Sequence, residues 1–419
     1  MISNIKISRF KSLKNLSLDL GRVNIFVGSN GAGKSSILEA IGLSSAAIYR
    51  SIEDRDLISR GIRLTPTELM KSSFKNDKTA QTFEICLNFS DGLFYKCNLS
   101  AKENDPLLRF HSESCTLNGK KQFGRSGNGS TVLGNSISVS LDKDRGMWDQ
   151  VRTAHKFPEE LVSQFDEFSK YKIFTPQTDI LRGSRSGVVD SGPLGIHGEG
   201  LPTALKAALN YSNRLRGEEL KWFNNLSALS FLPGWNEIVK VGRIDSKLVS
   251  RGIQEKNSDM VYFIDKYMKN SRNTLSVYDS SEGTLFLLFI FALFAHPESP
   301  RYFALDNVDN ALNPVMNRRL LEAIIKAVSD GHALNLPFGP RQVFMTSHNP
   351  TALDAFDIFD EDQRIFVVKR ADDGCTTATQ LKPRDGMTRD EWKVASSGRN
   401  LSQLWLDGMI KGINGAEAI

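Results

Sequence analysis

Polar and apolar positions alternate over the first 20 residues, in Asn4 to Phe10 and Leu16 to Leu20, around a turn at Lys11 to Lys14. Val23 to Val27 (VNIFV) breaks that rhythm by being continuously apolar, so two half-buried strands are expected to precede one buried on both faces. The third strand runs directly into GSNGAGKSS, after which SSILEAIGLSSAAIYR has helical spacing. From about Thr82 to Leu141 the period returns to two, in TFEICLNFS, LFYKCNLSA and ISVSL, which predicts an antiparallel sheet. The Gly- and Ser-rich stretch between them, Asn118 to Ser130, is expected to be a mobile loop.

Tyr171 to Gly183 reads as a strand leaving the sheet, and Gly183 to Gly200 as a flexible joint. Helices are expected from Leu201 and from Glu218, followed by strand-like IVKVGRI. The run Leu285 to Ala295 (LFLLFIFALFA) falls well short of the roughly 20 residues needed to cross a bilayer and reads as a buried helix. A strand ending in YFALDNVD, a helix from Asn313 to Ser329 and strands at VFMTSHNP and RIFVVKR complete the pattern. The tail from Arg384 ends in an amphipathic helix with Leu401, Leu404, Trp405 and Met409 near one face. It could pack on its own core or dock a partner or a second copy. The expected organisation is a first lobe over 1–182, a helical lobe over 183–284, a return to the core over 285–383, and the tail over 384–419.

Composition narrows the class without naming a chemistry. With 53 Lys+Arg against 48 Asp+Glu, the net charge of +5 is that of an ordinary soluble protein and merely permits nucleic-acid contact. Cys86, Cys97, Cys115 and Cys375 form no C-x-x-C pair, so neither a zinc site nor a disulfide framework is indicated. MISNIKISRFKSL has no apolar core of a secretory signal, and a cytoplasmic location is expected.

The chemistry is concentrated at strand ends. Gly28, Gly33, Lys34 and Ser35 satisfy G-x-x-x-x-G-K-[ST] between a buried strand and a helix, the context that gives the motif meaning. Glycines let backbone N–H groups curl around phosphates, Lys34 bridges the β- and γ-phosphates, and Ser35 offers a hydroxyl to Mg²⁺. Asn30, Gly31 and Ser36 belong to the same loop. Asp306 ends a strand where it would hold Mg²⁺ beside Ser35, His348 ends another within reach of a γ-phosphate, and Ser281 to Thr284 (SEGT) precede the apolar helix.

Taken in order, these elements make the chain resemble the ATP-binding cassette class over roughly Ile5 to Arg370. Within it, the chain is similar to the group that includes RecF, the SMC proteins, the overcoming-lysogenization-defect (OLD) nucleases and the ATPase subunits of Septu-like, PARIS-like and retron-associated phage-defence systems. The resemblance implies an α/β fold, an ABC-type P-loop ATPase head with an antiparallel β subdomain and a helical signature lobe. It matches Phe10, Lys11 and Ser12 to the family's F-[RK]-[SN] element, Asn30 to the P-loop asparagine and Gln177 to a Mg²⁺-sensing glutamine. Ser281 and Gly283 fall in the signature, Asn310 to Asn313 at the D-loop, and His348 at the switch histidine.

In that family the signature meets the γ-phosphate held by a second subunit's P-loop, so ATP clamps two heads into a homodimer or higher oligomer. One departure stands out. The family's catalytic carboxylate follows the Walker B Asp directly, and that position here is Asn307; Asp309 is the nearest carboxylate beyond it. An amide orients water but takes no proton, so slow hydrolysis is expected.

Asp142 to Asp144 and Asp360 to Asp362 are expected to be solvated turns, and the 71 residues after His348 are too few for an OLD-type nuclease domain. A separate effector subunit, such as a nuclease of an anti-phage system, is therefore the implied partner, with no membrane involved. Alternatives are an ATP-retaining scaffold and a RecF- or SMC-like DNA-repair ATPase; a transporter subunit is disfavoured by SSEGT in place of LSGGQ. Arg182 to Arg185 with Lys120, Lys121 and Arg125 could meet nucleic-acid phosphates or serve as ordinary solubilising charge.

Overall fold

The computed structural model describes residues 1–75, 77–100, 107–138, 140–183, 192–249, 259–383 and 386–407. The fold is mixed α/β, and by contact the chain falls into two units. The first joins Met1–Ile173, Pro300–Asn307 and Gln342–Ile419; the second joins Phe174–Ser299 and Val308–Arg341.

Two sheets build the first unit. One has eight strands in the order Leu13–Asp19, Ile2–Phe10, Thr82–Phe89, Leu93–Ser100, Arg109–Leu117, Lys120–Ser126, Gly129–Val132 and Asn135–Ile137. Its neighbouring strands run antiparallel throughout, as the alternating pattern requires. The other is the core sheet, in the order Lys172–Phe174, Tyr302–Leu305, Gln342–Ser347, Val23–Val27, Gln363–Arg370 and Thr376–Leu381. Val23–Val27 is parallel to both of its neighbours and buried along its whole length, the expected state of a strand covered on two faces.

Gln342 stitches the two sheets together from a fully buried position. Its carbonyl oxygen accepts from the Ile2 N–H at 2.9 Å, and its amide nitrogen donates to the Ile2 and Gly21 carbonyls at 2.7 Å each. The helix Glu159–Phe168 turns Leu161, Phe165 and Phe168 inward, where Phe165 meets Tyr95, Phe123 and Trp148.

Asn118 to Ser130 corrects the sequence reading: it is the strand pair Lys120–Ser126 and Gly129–Val132. Asn118 and Gly119, at φ 50° and 76°, form the tight turn that feeds it. Its apolar content is a single residue, but that residue, Phe123, is fully buried, and Arg125 is buried with it. Arg125 pairs with Glu113 at 2.9 Å and donates to the Asp142 carbonyl at 2.6 Å, so it offers nothing to a phosphate. Glu113 also accepts from the Tyr95 hydroxyl and the Met147 N–H. Further along, the ladder covers Asn135–Ile137, short of the strand expected from ISVSL, and Val139 lies outside the described residues.

The second unit packs the helices Leu201–Ser212, Gly217–Ser227, Glu282–Ala295 and Pro314–Ala333 with a sheet of Asn236–Arg243, Asp259–Asp265 and Thr274–Ser276. Glu282–Ala295 is the apolar helix, buried from Thr284 onward. Trp222 anchors the unit by donating from Nε1 to the Ala327 carbonyl at 2.8 Å, with its ring edge-on to Phe338. Among the described residues no helix is long and apolar enough to cross a membrane.

The tail is two short helices, Arg389–Ala395 and Leu401–Leu406, separated where Ser397 and Gly398 take positive φ. Leu401 and Leu404 are buried, and Ser402 bonds Asp354 through both its N–H and its hydroxyl at 2.8 Å. Over its described residues, 386–407, the tail thus packs on its own unit; Met409 lies outside them.

Removing one member of a buried ion pair leaves the other charge stranded. Glu113→Ala is expected to destabilise the protein by about 3 kcal/mol or more, read as a lower urea midpoint. The double change Glu113→Leu with Arg125→Met should recover most of that loss.

Candidate functional site

Gly28 to Ser36 leave the buried strand Val23–Val27 and enter the helix Lys34–Tyr49. The loop is walled from behind at two of its glycines. A Cβ on Gly28 would lie 2.1 Å from the Val368 carbonyl, and one on Gly33, at φ 105°, would lie 2.2 Å from Thr376 Oγ1. Gly31, at φ 77°, has open space around it, and Asn30 is exposed. Lys34 is buried and its ammonium donates to the carbonyls of Gly28 at 2.6 Å and Ser29 at 2.9 Å, which holds it inside the curl of the loop. Ser36 is buried beneath the loop.

Thr376 does more than fill space. Its hydroxyl donates to the Ala32 carbonyl at 2.8 Å, and its single proton being used there, Ser12 must donate to it across 2.7 Å. The Phe10–Lys11–Ser12 element thereby braces the loop through an intermediary that the sequence analysis missed.

Ser35 and Asp306 are brought together. The serine hydroxyl donates to Asp306 Oδ2 at 3.0 Å, and Thr346 Oγ1 donates to Oδ1. Thr346 accepts in turn from the Asn307 N–H at 2.8 Å, so one hydroxyl orients the carboxylate and the backbone behind it. Asn307 is exposed at φ 58°, a left-handed conformation that Asn tolerates better than most residues. His348 is exposed at the end of Gln342–Ser347, and its neighbour Asn349 caps the following turn through Thr351 N–H at 3.0 Å.

A second missed feature is ionic. Glu39, almost fully buried on the loop's own helix, takes Lys11 at 2.7 Å on one oxygen and Arg63 at 2.7 Å on the other. Burial raises the Glu39 carboxyl, but Arg63 and Lys11 outweigh it and leave it below the ordinary carboxylate range. Glu39 was legible only as one polar letter on an otherwise apolar helix.

The remaining site residues lie in the second unit. Ser281 caps the apolar helix by accepting from the Thr284 N–H at 3.3 Å, and its hydroxyl lies 2.9 Å from Thr284 Oγ1. Thr284 also receives Trp235 Nε1 at 3.3 Å. Gly283 faces the Asn310 to Asn313 segment: a Cβ there would lie 3.0 Å from the Ala311 carbonyl and from Leu312 Cδ2. Asn313 caps the next helix through the Met316 N–H. Asp309 is buried. Gln177 is exposed and has its amide nitrogen 3.4 Å from His197 Nδ1, while its N–H donates to the His197 carbonyl at 2.9 Å. Arg182 donates to the Ser280 carbonyl at 3.0 Å; Arg185 lies outside the described residues.

Two family models match the chain in sequence order. Residues 1–186 match an AAA ATPase domain, and residues 208–354 match an AAA domain described with the AbiEii toxin of a type IV TA system. The first holds the phosphate-binding loop and the second holds Asp306, Ser281 and His348. By both models the chain carries AAA-type P-loop ATPase sequence. Its phosphate-binding loop implies nucleotide binding.

The ATPase is 28% identical over 197 residues to the DNA replication and repair protein RecF of Leptospira interrogans, covering 46% of this chain and 47% of that one. It is 26% identical over 167 residues to the uncharacterized protein MJECL10 of Methanocaldococcus jannaschii, covering 39% of this chain and 64% of the relative. The matches therefore span less than two thirds of either relative's length. An SMC head domain from Thermotoga maritima aligns with 91% of this chain and 99% of its own, at 13% identity and a TM-score of 0.43.

Two outcomes follow for this ATPase. Gly33→Ala, with no room for its Cβ, should lose nucleotide binding by at least about tenfold, as read with a fluorescent nucleotide analogue. Because the folded Glu39 carboxyl is depressed, its contribution to stability is full above the unfolded value near 4.5 and is lost as pH falls through the lower folded value. Urea midpoints taken from neutral pH down through that range should therefore fall more steeply for wild type than for Glu39→Gln.

Proposed function

We propose that this protein hydrolyses ATP slowly and uses the ATP-bound state to close two heads and thereby control a separate effector. The observation that carries the reading is the walled phosphate loop with Lys34 inside it and Ser35 bonded to Asp306. A hydroxyl and a carboxylate 3.0 Å apart are hard oxygen donors of the kind Mg²⁺ prefers, so the residues present fit that ion. When bound, Mg²⁺ neutralises charge on the β- and γ-phosphates.

Lys34 is held by two backbone carbonyls, and nucleotide binding exchanges those for phosphate oxygens with little movement of a buried ammonium. Thr346 keeps Asp306 oriented toward Ser35. Asn307, at the position of the family's general base, can orient a water by hydrogen bonding but cannot accept its proton. Asp309 and His348 are the further candidates for the water and the γ-phosphate, with Gln177 as the proposed Mg²⁺ sensor. Ser281 and Gly283 would meet the nucleotide of a second copy. The closed state then outlasts a single encounter, which suits a switch better than a motor.

The effector reading draws on the second family's toxin–antitoxin description, and we propose a nuclease in anti-phage defence as that effector. Asn307 favours one other reading, a scaffold that keeps ATP without turnover.

Turnover by purified protein with Mg²⁺, with bound nucleotide and particle mass measured alongside, tests these. Wild type is expected to turn over slowly and to double in mass with ATP, and Lys34→Ala to do neither. Asn307→Glu should raise the rate by about 10²-fold, even after about 1 kcal/mol of left-handed strain. Unchanged turnover in Lys34→Ala would sink the ATPase reading. Retained ATP without turnover would replace it by the scaffold.

A further inference from the structure

The second unit carries a hairpin tip, Lys266 to Arg272 (KYMKNSR), whose side chains its own fold leaves unburied. Every residue in it is exposed, Tyr267 by 76% and Met268 by 47%. Three cations, Lys266, Lys269 and Arg272, share the tip with the tyrosine, and Lys266 Nζ sits 5.0 Å from the Tyr267 ring centroid. None of the three has an ion-pair partner among the described residues.

The nearest carboxylates, Asp265 and Glu237, offset only part of this charge. Asp265 is half-buried at the base of the tip and accepts from the Tyr267 N–H at 2.8 Å. Glu237, exposed on the adjacent strand, is a further carboxylate near this end of the sheet. The tip is also built rather than loose: Lys266 N–H donates to the Trp235 carbonyl at 3.1 Å, Asp265 N–H to Asn273 at 2.8 Å, and Arg272 N–H to Lys269 at 2.7 Å. A fixed turn that presents an aromatic ring beside cations suits a ligand that is both anionic and flat.

We infer that this tip is a contact for single-stranded nucleic acid, with Lys266, Lys269 and Arg272 on phosphates and an unpaired base stacked on Tyr267. A duplex keeps its base faces covered and would gain nothing from the tyrosine, whereas a single strand, DNA or RNA, offers both groups at once. Of the other cations considered from sequence, Arg125 is buried in its ion pair.

Binding of labelled single-stranded DNA, single-stranded RNA and duplex DNA of equal length, measured by fluorescence anisotropy over a salt series without nucleotide, tests this independently of the ATPase reading. Wild type should prefer either single strand to the duplex. Removing all three cations (Lys266→Ala, Lys269→Ala, Arg272→Ala) should lower the slope of log affinity against log salt by about 2. Tyr267→Ala should weaken single-strand binding roughly tenfold and leave the salt slope alone. A control lacking three exposed lysines elsewhere (Lys78→Ala, Lys120→Ala, Lys121→Ala) should bind as wild type does. All these side chains are exposed, and unchanged thermal melts establish that the variants fold. Absence of binding at low salt, equal loss in the control, or a duplex preference indifferent to Tyr267 would each overturn the proposal.

Discussion

The phosphate-binding loop depends on what stands behind it. Its backbone must turn through positions where Gly28 and Gly33 leave no space for a side chain, and the obstructing atoms belong to Val368 and Thr376. Those two residues come from neighbouring strands at one end of the core sheet, Gln363–Arg370 and Thr376–Leu381. The loop's curvature is therefore imposed by the sheet's edge and not by the glycines alone, which merely permit it. Ser12 completes the wall through Thr376, tying the first hairpin of the antiparallel sheet to the same point.

The same economy of parts governs the Asp306 end. One threonine hydroxyl donates to the carboxylate and accepts from the next residue's N–H, which fixes Asp306 and Asn307 as a unit. Asn307 can take its left-handed backbone because its side chain is short and polar. A residue chosen for that conformation and a residue chosen to take a proton are different demands, and here the backbone demand is the one visibly met.

Much of this was legible in the sequence where a motif coincided with a change of hydrophobic period. The loop between Val27 and Lys34 stood out because continuous apolar letters gave way to glycine and then to a helix. Ser35 and Asp306 could be paired by chemistry, and they meet. Thr346 and Thr376 could not be found, since a threonine inside a strand carries no signal of what it touches. The stretch Asn118 to Ser130 misled because its strand is anchored by only Phe123 and a buried ion pair, neither of which produces alternation. The tail's apolar face was visible, but Ser397 and Gly398 divide it, and Leu401 and Leu404 close onto the chain's own turn near Asp354.

The amide of Gln342 joins residues 340 positions apart, and Val23–Val27 finds both of its partners in strands equally late in the chain. A ribosome adding about 5–20 residues per second takes roughly 15–70 seconds to supply them after the loop itself emerges. Throughout that interval the loop's strand has no sheet to join, and Leu285–Ala295 leaves the tunnel before the core can close. Nucleotide competence thus waits for those late strands, because the loop's curvature needs Val368 and Thr376 behind it.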